Sequence, residues 1–309
     1  MSNGIKCLSV CLRNPQIEYE EGMDLFGKRP DGRAIKNIPP LEKIIPYIMK
    51  KRYDSMNLYE DSFDCAPWDA YIHKKREQGI KITYMDILIA GVVRMMALRP
   101  KLNRFVMNGK IYARPKIWVS FAIHHRLRDN DVETTIKLCF EGTETILEIA
   151  DAIHKAVAKE TVEWKGENGT DKLARVLTRI PGPIISLAVN TLMWMDRHNL
   201  LPKAIIELSP FHTSFFITNL KSLGINHIFH HVYEFGTTGI FMGMGKEKMV
   251  PVWKDNETVP EKRLTFGLVS DERFCDGLYF SQSLRRLRKI MKHPEELEIP
   301  LEKKVEDDI

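Results

Sequence analysis

The 309-residue sequence contains few cysteines and no pattern typical of export or nucleotide binding. Its five cysteines are odd in number, widely scattered and without a C-x-x-C pair, so neither a disulfide framework nor a zinc site is indicated. No charged start followed by a long apolar run is present, which predicts a cytoplasmic protein without a secretory signal. The G-x-G-x-x-G, P-loop and G-x-S-x-G patterns are also missing. The sequence therefore predicts neither a glycine-rich nucleotide-binding loop nor the nucleophile turn of the α/β-hydrolases.

The charge of the chain is nearly balanced and evenly spread. Forty-six Lys and Arg face 41 Asp and Glu, for a net charge of +5, and no basic stripe appears. We therefore predict no nucleic-acid partner. With 44% hydrophobic and 28% charged residues, the composition is that of an ordinary globular protein with a large core.

Hydrophobic periodicity and turn residues predict helices in the first part and strands in the last third. The predicted helices follow Pro40, span 68–78, begin after Thr83, span 146–157 and span 278–291. The predicted strands are 59–65, a hairpin around Asn108-Gly109, 117–124, 134–140, 214–220, 228–235, 238–245, 248–253 and 262–269. Because no βαβ spacing repeats, we predict an α+β sandwich with a mixed sheet and helices on one face.

The predicted organisation is one core domain with extensions. Residues 1–38 are expected to form an arm, residues 39–297 the core, and residues 298–309 a polar tail that frays. An apolar helical insertion occupies about 163–210, within which 180–195 carry no charge.

The uncharged run of this insertion has 16 residues, which is too short to span a bilayer. We favour a helix buried in a hydrophobic core or subunit contact. A lid over a hydrophobic substrate and a helix dipping into a membrane surface are the alternatives.

The most specific string is Asp271-Glu272-Arg273-Phe274-Cys275-Asp276-Gly277, after a predicted strand and before a helix. It resembles the H-x-x-x-D-G signature of the chloramphenicol acetyltransferase superfamily, which includes the catalytic cores of the dihydrolipoyl acyltransferases of 2-oxoacid dehydrogenase complexes. Two further segments fit that family in order. SFFITNLKSLG, at 214–224, resembles its F-T-I-S-N-L-G segment, and 81–103 resembles its first core helix with the following P-x-L-N turn.

The resemblance covers roughly 39–297 and implies a chloramphenicol acetyltransferase-like two-layer sandwich that assembles as a homotrimer or larger. It implies active sites at subunit interfaces, where a channel admits coenzyme A or lipoamide from one side and the acyl acceptor from the other. An imidazole would take the acceptor's proton, while a hydroxyl of the neighbouring subunit stabilises the oxyanion.

The departure from the family lies at Glu272, which stands where the family has its catalytic histidine. A carboxylate with a pKa near 4.3 is a poor base for a thiol near 8.5, since the gap of about four pKa units corresponds to roughly 5–6 kcal/mol. For a histidine the gap to the thiol would be only about two pKa units. Asp271 and Asp276 would favour a protonated Glu272, whereas Arg273 acts in the opposite direction.

Three hypotheses for Glu272 stay open. It acts as a general base with a raised pKa, it forms a transient acyl anhydride, or the site has lost its chemistry and keeps only binding or assembly. A solvated acidic strand end is the purely structural interpretation.

Thr218 stands where the family has its oxyanion-stabilising serine, and its hydroxyl can donate the same hydrogen bond. Ser214 is expected on the same face of a regular strand and Asn219 on the other face. His230 or His231, on the next predicted strand, could supply the missing imidazole, and His212 is a further candidate. No histidine pair has metal-ligand spacing, so no metal is predicted.

Two other residues of the signature have less direct roles. Cys275 is interpreted as a packing residue rather than a reactive thiol. The resemblance implies that Asp276 makes an ion pair that orients the loop, and since the family's usual arginine partner is not evident, Arg52 or Lys51 would replace it. Gly277 completes the motif.

The leading function is acyl transfer from a CoA-type thioester to an unknown acceptor, with coenzyme A or acyl-CoA as substrate. No lipoyl domain precedes the core in this sequence, so no covalent lipoyl group is expected. The alternative is a catalytically inactive family member, a pseudoenzyme, that acts as a scaffold or binds a hydrophobic ligand or, less favoured, a membrane surface.

Overall fold

The computed structural model describes residues 9–10, 28–124, 133–163 and 181–307. The strands are β1 (Ser9–Val10), β2 (Lys28–Arg29), β3 (Gly32–Ala34), β4 (Met56–Asp64), β5 (Arg104–Met107), β6 (Lys110–Ala113), β7 (Ile117–His124), β8 (Glu133–Phe140), β9 (Phe215–Asn219), β10 (Ile240–Lys254) and β11 (Glu257–Asp271). The helices are α1 (Pro40–Ile48), α2 (Ala66–Glu77), α3 (Tyr84–Leu98), α4 (Ile146–Glu163), α5 (Gly182–Arg197), α6 (Lys203–Leu208) and α7 (Gly277–Lys292). Most of the arm and residues 164–180 of the insertion lie outside the described residues.

A mixed sheet organises the described part of the chain. Its strand order is β1-β8-β7-β9-β10-β11-β4, in which β7, β9 and β10 run parallel while β10, β11 and β4 alternate in direction. A smaller sheet, β2-β3-β6-β5, carries the Asn108-Gly109 hairpin, where both turn residues have positive φ as a two-residue turn requires. The predicted mixed sheet is confirmed.

The main hydrophobic core lies between one face of the large sheet and a layer of helices. Residues of α2, α3, α4 and α7 join those of the strands in one buried cluster. α3 is the centre of this layer, and the predicted cap at Thr83 is confirmed, since its hydroxyl accepts from the Asp86 amide while the Asp86 carboxylate accepts from the Thr83 amide. The opposite face has a small cluster, Phe216, Val232, Phe241 and Val269.

Three predictions about elements are wrong. The strands expected at 238–245 and 248–253 are one strand, β10, with an irregularity between Met244 and Glu247. Residues 228–235 form no strand. The tail does not fray over its described part, because Arg104 donates two hydrogen bonds to the Asp307 carboxylate and the Val305 amide donates to the Ala97 carbonyl. The insertion helix α5 is exposed on the single chain, so it is not buried in this chain's core, and the subunit contact stays a prediction.

Candidate functional site

The strand-end motif is held by a buried ion pair. Asp271, the last residue of β11, receives two hydrogen bonds from the Arg273 guanidinium, at 2.8 and 2.7 Å, and one from Ser55 Oγ at 3.0 Å. Both charged side chains are almost fully buried. Asp271 is thus paired with Arg273 and does not face Glu272 as a free charge.

Glu272 itself is exposed at the start of a short 3-10 turn. Its Oε2 accepts a hydrogen bond of 2.7 Å from Nδ2 of Asn57, on the neighbouring strand β4. The carboxylate is therefore oriented at the sheet edge and open to solvent or to another chain.

Asp276 caps a helix instead of making the expected ion pair. Its carboxylate accepts from the Tyr279 amide at 2.8 Å, which satisfies an otherwise unpaired donor in the first turn of α7. The two proposed replacements point elsewhere: Arg52 donates to the Tyr233 carbonyl and Lys51 to the Tyr53 hydroxyl. Among the described residues, therefore, Asp276 has a capping role and neither Arg52 nor Lys51 supplies the expected ion pair.

A hydroxyl–imidazole pair forms away from the strand-end motif. Thr218 Oγ1, near the end of β9, lies 2.9 Å from Nε2 of His230, and both residues are partly buried. The His230 ring stacks on Phe241 with centroids 4.4 Å apart. Burial, and next the charge of His231, lower the pKa of His230, so the imidazole is neutral near pH 7 and can accept a proton.

Glycines of the sheet bring His230 to Thr218. Residues 225–234 cross the sheet face, and a Cβ on Gly243, Gly245 or Gly267 would come within 2.8 Å of the backbone or side chain of 227–228. Side chains at these three positions would push the segment away. Glycines within a strand indicate that another backbone segment approaches closely. They are the sequence signal that could have shown that 228–235 crosses the sheet instead of forming a strand.

The remaining sequence candidates have structural partners. Ser214 Oγ accepts from the Trp118 amide at 2.8 Å, and Asn219 caps a 3-10 turn by accepting from the Ser222 amide. His231 is exposed, edge-on to the Tyr233 ring. Cys275 is buried, which raises the pKa of its thiol to about 12 and fits the predicted packing role.

His212 belongs to a buried ionic cluster rather than to the Thr218–His230 pair. Its Nε2 lies 3.1 Å from Oδ2 of Asp196, whose other oxygen accepts from Arg29 at 2.6 Å. Arg29 also donates to Asp31 at 2.9 Å. Burial lowers the pKa of His212 despite these carboxylates.

Thr218 and Glu272 do not meet within one chain. Thr218 pairs with Gly243, and Gly243 pairs with Gly267, five residues before Glu272. Strand geometry places the two side chains on the order of 20 Å apart. Within the described ranges, moreover, no three His, Cys, Asp or Glu residues cluster closely enough to hold a metal ion.

The chain is similar to known acyltransferases in sequence and in structure. Residues 210–299 match the family model of the 2-oxoacid dehydrogenases acyltransferase (catalytic domain). The dihydrolipoamide acetyltransferase of Azotobacter vinelandii, studied for the roles of a serine, a histidine and an asparagine in its mechanism, superposes with a TM-score of 0.53 at 14% identity over 85% of this chain and 93% of that one. A chloramphenicol acetyltransferase gives 0.50 at 8% identity, covering 84% and 99%.

The chain has the fold of the chloramphenicol acetyltransferase superfamily. The resemblance inferred from the three motifs is thereby confirmed. In sequence, the chain is 22% identical over 216 residues to the dihydrolipoyllysine-residue acetyltransferase component of the acetoin cleaving system of Bacillus subtilis (strain 168). That match covers 70% of this chain and 43% of the relative, so the chain spans less than half of the relative's length.

Proposed function

We propose that this protein transfers an acyl group from a CoA-type thioester to an acceptor, with Thr218 and His230 as the working pair. The observation that carries the proposal is the 2.9 Å contact between Thr218 Oγ1 and His230 Nε2. It lies within 210–299, the part of the chain that matches an acyltransferase catalytic domain.

The pair can divide the chemistry between its two side chains. When thioester and acceptor bind, the Thr218 hydroxyl turns to donate its hydrogen bond to the oxyanion of the tetrahedral intermediate. Nε2 of His230 is then free to accept the proton of the attacking thiol or hydroxyl. Collapse of the intermediate breaks the carbon–sulfur bond, and the departing thiolate takes the proton from the imidazolium.

The neutral state of His230 suits this role better than a carboxylate would. Burial lowers the pKa of His230. The reference pKa of an imidazole, about 6.5, is closer to that of a thiol, about 8.5, than is the reference pKa of a glutamate carboxylate, about 4.3. His230 thus supplies an imidazole from a different part of the fold. The reaction as proposed requires no metal and no covalent lipoyl group.

Glu272 enters this scheme through assembly. In the homotrimer that the resemblance implies, Glu272 of one copy lies at the interface with the next copy, so an exposed position in the single chain is what the proposal needs. Its spacing to Asp276 is that of the histidine and asparagine studied in the Azotobacter vinelandii protein. We assign Glu272 to positioning the acceptor.

The test is thiol release from a panel of acyl-CoAs by the full chain. His230→Gln is expected to lower kcat at least 100-fold, the usual contribution of a general base. The adjacent exposed His231→Gln is the matched control and should keep kcat at pH 8. Thr218→Val removes the hydroxyl that donates to the oxyanion and should lower kcat about 100-fold. Thr218→Ser keeps a hydroxyl and should retain most of the activity.

Glu272→Gln separates the two possible bases. We expect a loss of about tenfold or less, because the substitution leaves His230 in place. If instead Glu272→Gln abolishes turnover while His230→Gln does not, Glu272 is the base and the assignment of His230 is overturned.

A catalytically inactive scaffold is the second candidate, and the capping role of Asp276 at the start of α7 favours it. Thermal protection by acyl-CoA distinguishes a binding protein from a pure scaffold. A scaffold would show no shift in Tm with any acyl-CoA and no thiol release.

A further inference from the structure

The segment that carries His230, residues 225–234, has few bonds to the sheet that it crosses. At its start, the Lys246 amide donates to the Ile225 carbonyl at 2.9 Å. Within the described part of the chain, residues 226–232 make no hydrogen bond between backbone groups. A segment without such bonds keeps its place only through its side chains and through bonds at its two ends. The position of the His230 imidazole therefore depends on what holds the far end of the segment.

Arg52 holds that far end. Its guanidinium donates to the Tyr233 carbonyl at 3.0 Å, and its backbone amide donates to the Glu234 carboxylate at 2.6 Å. The guanidinium also donates to the Val106 carbonyl, in β5 of the smaller sheet, at 3.4 Å. A planar guanidinium bonds several acceptors at once in a fixed geometry. Arg52 thus joins the end of the crossing segment to the smaller sheet.

The bond to Tyr233 lies close enough to His230 to fix the imidazole. Tyr233 follows His230 by three residues, which is about 10 Å of extended chain. Between them, Val232 is buried and packs in one cluster with Phe241, the ring on which His230 stacks. A shift of the Tyr233 carbonyl would reach the imidazole, because only side-chain contacts hold the stretch between them.

The turn that contains Arg52 also bonds the strand-end motif. The Ser55 amide donates to the Arg52 carbonyl at 3.1 Å, and Ser55 Oγ donates to Asp271, the neighbour of Glu272. Arg52, Ser55 and Asp271 are all buried. Burial lowers the pKa of Arg52, and the charge of Asp271 acts in the opposite direction. One buried turn therefore links the strand-end motif to the crossing segment.

We propose that Arg52 is a positioning residue for His230. By fixing the end of 225–234, it keeps the imidazole within hydrogen-bond distance of Thr218, and it takes no part in proton transfer itself. The expected effect on turnover rests on the proposed function, whereas the expected effect on the place of His230 does not.

The first test is hydrogen–deuterium exchange at Cε1 of the His230 ring in the full chain, followed by mass spectrometry from pH 5 to pH 9. This exchange reports the pKa and the solvent access of a single imidazole. In the wild type His230 faces Thr218, Phe241 and the adjacent His231, and burial, followed by the charge of His231, lowers its pKa. In Arg52→Met the ring should leave the sheet, exchange faster and titrate closer to the ordinary value of about 6.5.

Turnover provides the second readout. Arg52→Met should lower kcat about tenfold or more and change KM for acyl-CoA by less than about twofold, because it displaces the imidazole. Arg52→Lys keeps a donor for the Tyr233 carbonyl and should recover most of kcat. Arg104→Met is the matched control, because Arg104 is also 3% exposed but bonds Asp307 in the tail. It should lower Tm as Arg52→Met does and leave exchange at His230 unchanged.

Glu234→Ala keeps the test decisive if Arg52→Met does not fold, because Glu234 is only partly buried. It removes the acceptor of the Arg52 amide and should increase exchange at His230 by a smaller amount. The proposal is overturned if His230 exchanges and titrates in the folded variants as it does in the wild type, or if Arg104→Met and Arg52→Met change it alike. If the wild type releases no thiol and Arg52→Met still frees the imidazole, the proposed function fails and the positioning role stands.

Discussion

Helices α3 and α5 are alike in composition and opposite in placement. Each has about 15 residues, is largely apolar and carries a single Asp and a single Arg. Thirteen of the 15 residues of α3 are buried, whereas in α5 only Asp196 is. Apolar composition therefore does not decide burial in this protein. The surfaces available to each helix decide it.

The partners of the two helices explain the difference. α3 lies in the helix layer, where Gly91 leaves room for Met291 of α7 and where residues of α4 and the large sheet complete the core. α5 is attached from one side through Asp196. One helix is thus held by packing and the other chiefly by an ionic contact, and four predictions test that comparison.

The largest effect is expected for Arg29→Ala, which removes the cation between two buried carboxylates. Burial tends to lower the pKa of Arg29, but Asp31 and Asp196 outweigh it and raise that pKa, so the guanidinium is charged. Without it, the free energy of unfolding should fall by about 3–5 kcal/mol. Urea denaturation measures this loss, with the exposed Arg33→Ala as the control; a loss below 1 kcal/mol would contradict the ionic anchor.

Next comes a pair of identical substitutions, Leu88→Ala in α3 and Leu187→Ala in α5. Leu88 is fully buried, so its truncation should cost about 2–5 kcal/mol through lost burial and the cavity left behind. Leu187 is exposed, and its truncation should change stability by less than about 0.5 kcal/mol. Equal losses in urea denaturation would show that α5 is packed as α3 is.

A smaller effect is expected at the helix starts. Thr83→Ala removes the capping box of α3 and should lower stability by about 1 kcal/mol. Pro181 precedes α5 without a side-chain hydrogen bond, so Pro181→Ala should have little effect there. Thermal unfolding of the two variants provides the comparison, and a Tm loss at Pro181 as large as at Thr83 would refute it.

The smallest effect concerns the pH dependence of the α5 anchor. Burial lowers the pKa of His212 below its usual 6.5, so on acidification the unfolded chain takes up a proton before the folded protein does. Stability should therefore decrease as the pH falls through 6.5. Tm measured from pH 8 to pH 5 should decline less for His212→Gln than for wild type, while the exposed His73→Gln should follow the wild type.

Features with partners close in sequence were predictable. The cap at Thr83 joins residues three apart, and the Asn108-Gly109 turn needs only its own two residues. The Asp271–Gly277 signature was recognised for a similar reason, since its spacing is local even though Glu272 departs from the pattern. Together with 214–224 and 81–103, it was sufficient to predict the fold.

Contacts between distant residues were not predictable in the same way. The Thr218–His230 pair was anticipated only as two separate candidates on neighbouring strands, because the sequence pattern of 228–235 is that of a strand. Glycines at 243, 245 and 267 let that segment cross the sheet instead. Arg29 and Asp196 are 167 positions apart, and no pattern along the chain links them.

The amino-acid sequence by itself determined the order of the elements, their caps and turns, and membership in a fold whose motifs are short and local. Only the tertiary structure decided that His230 meets Thr218, that Asp276 caps a helix, and that α5 shows its apolar face to the outside. The physical reason is that periodicity and capping depend on neighbours within a few residues. Burial and side-chain pairing depend on which surfaces remain free once the sheet and its helix layer are complete.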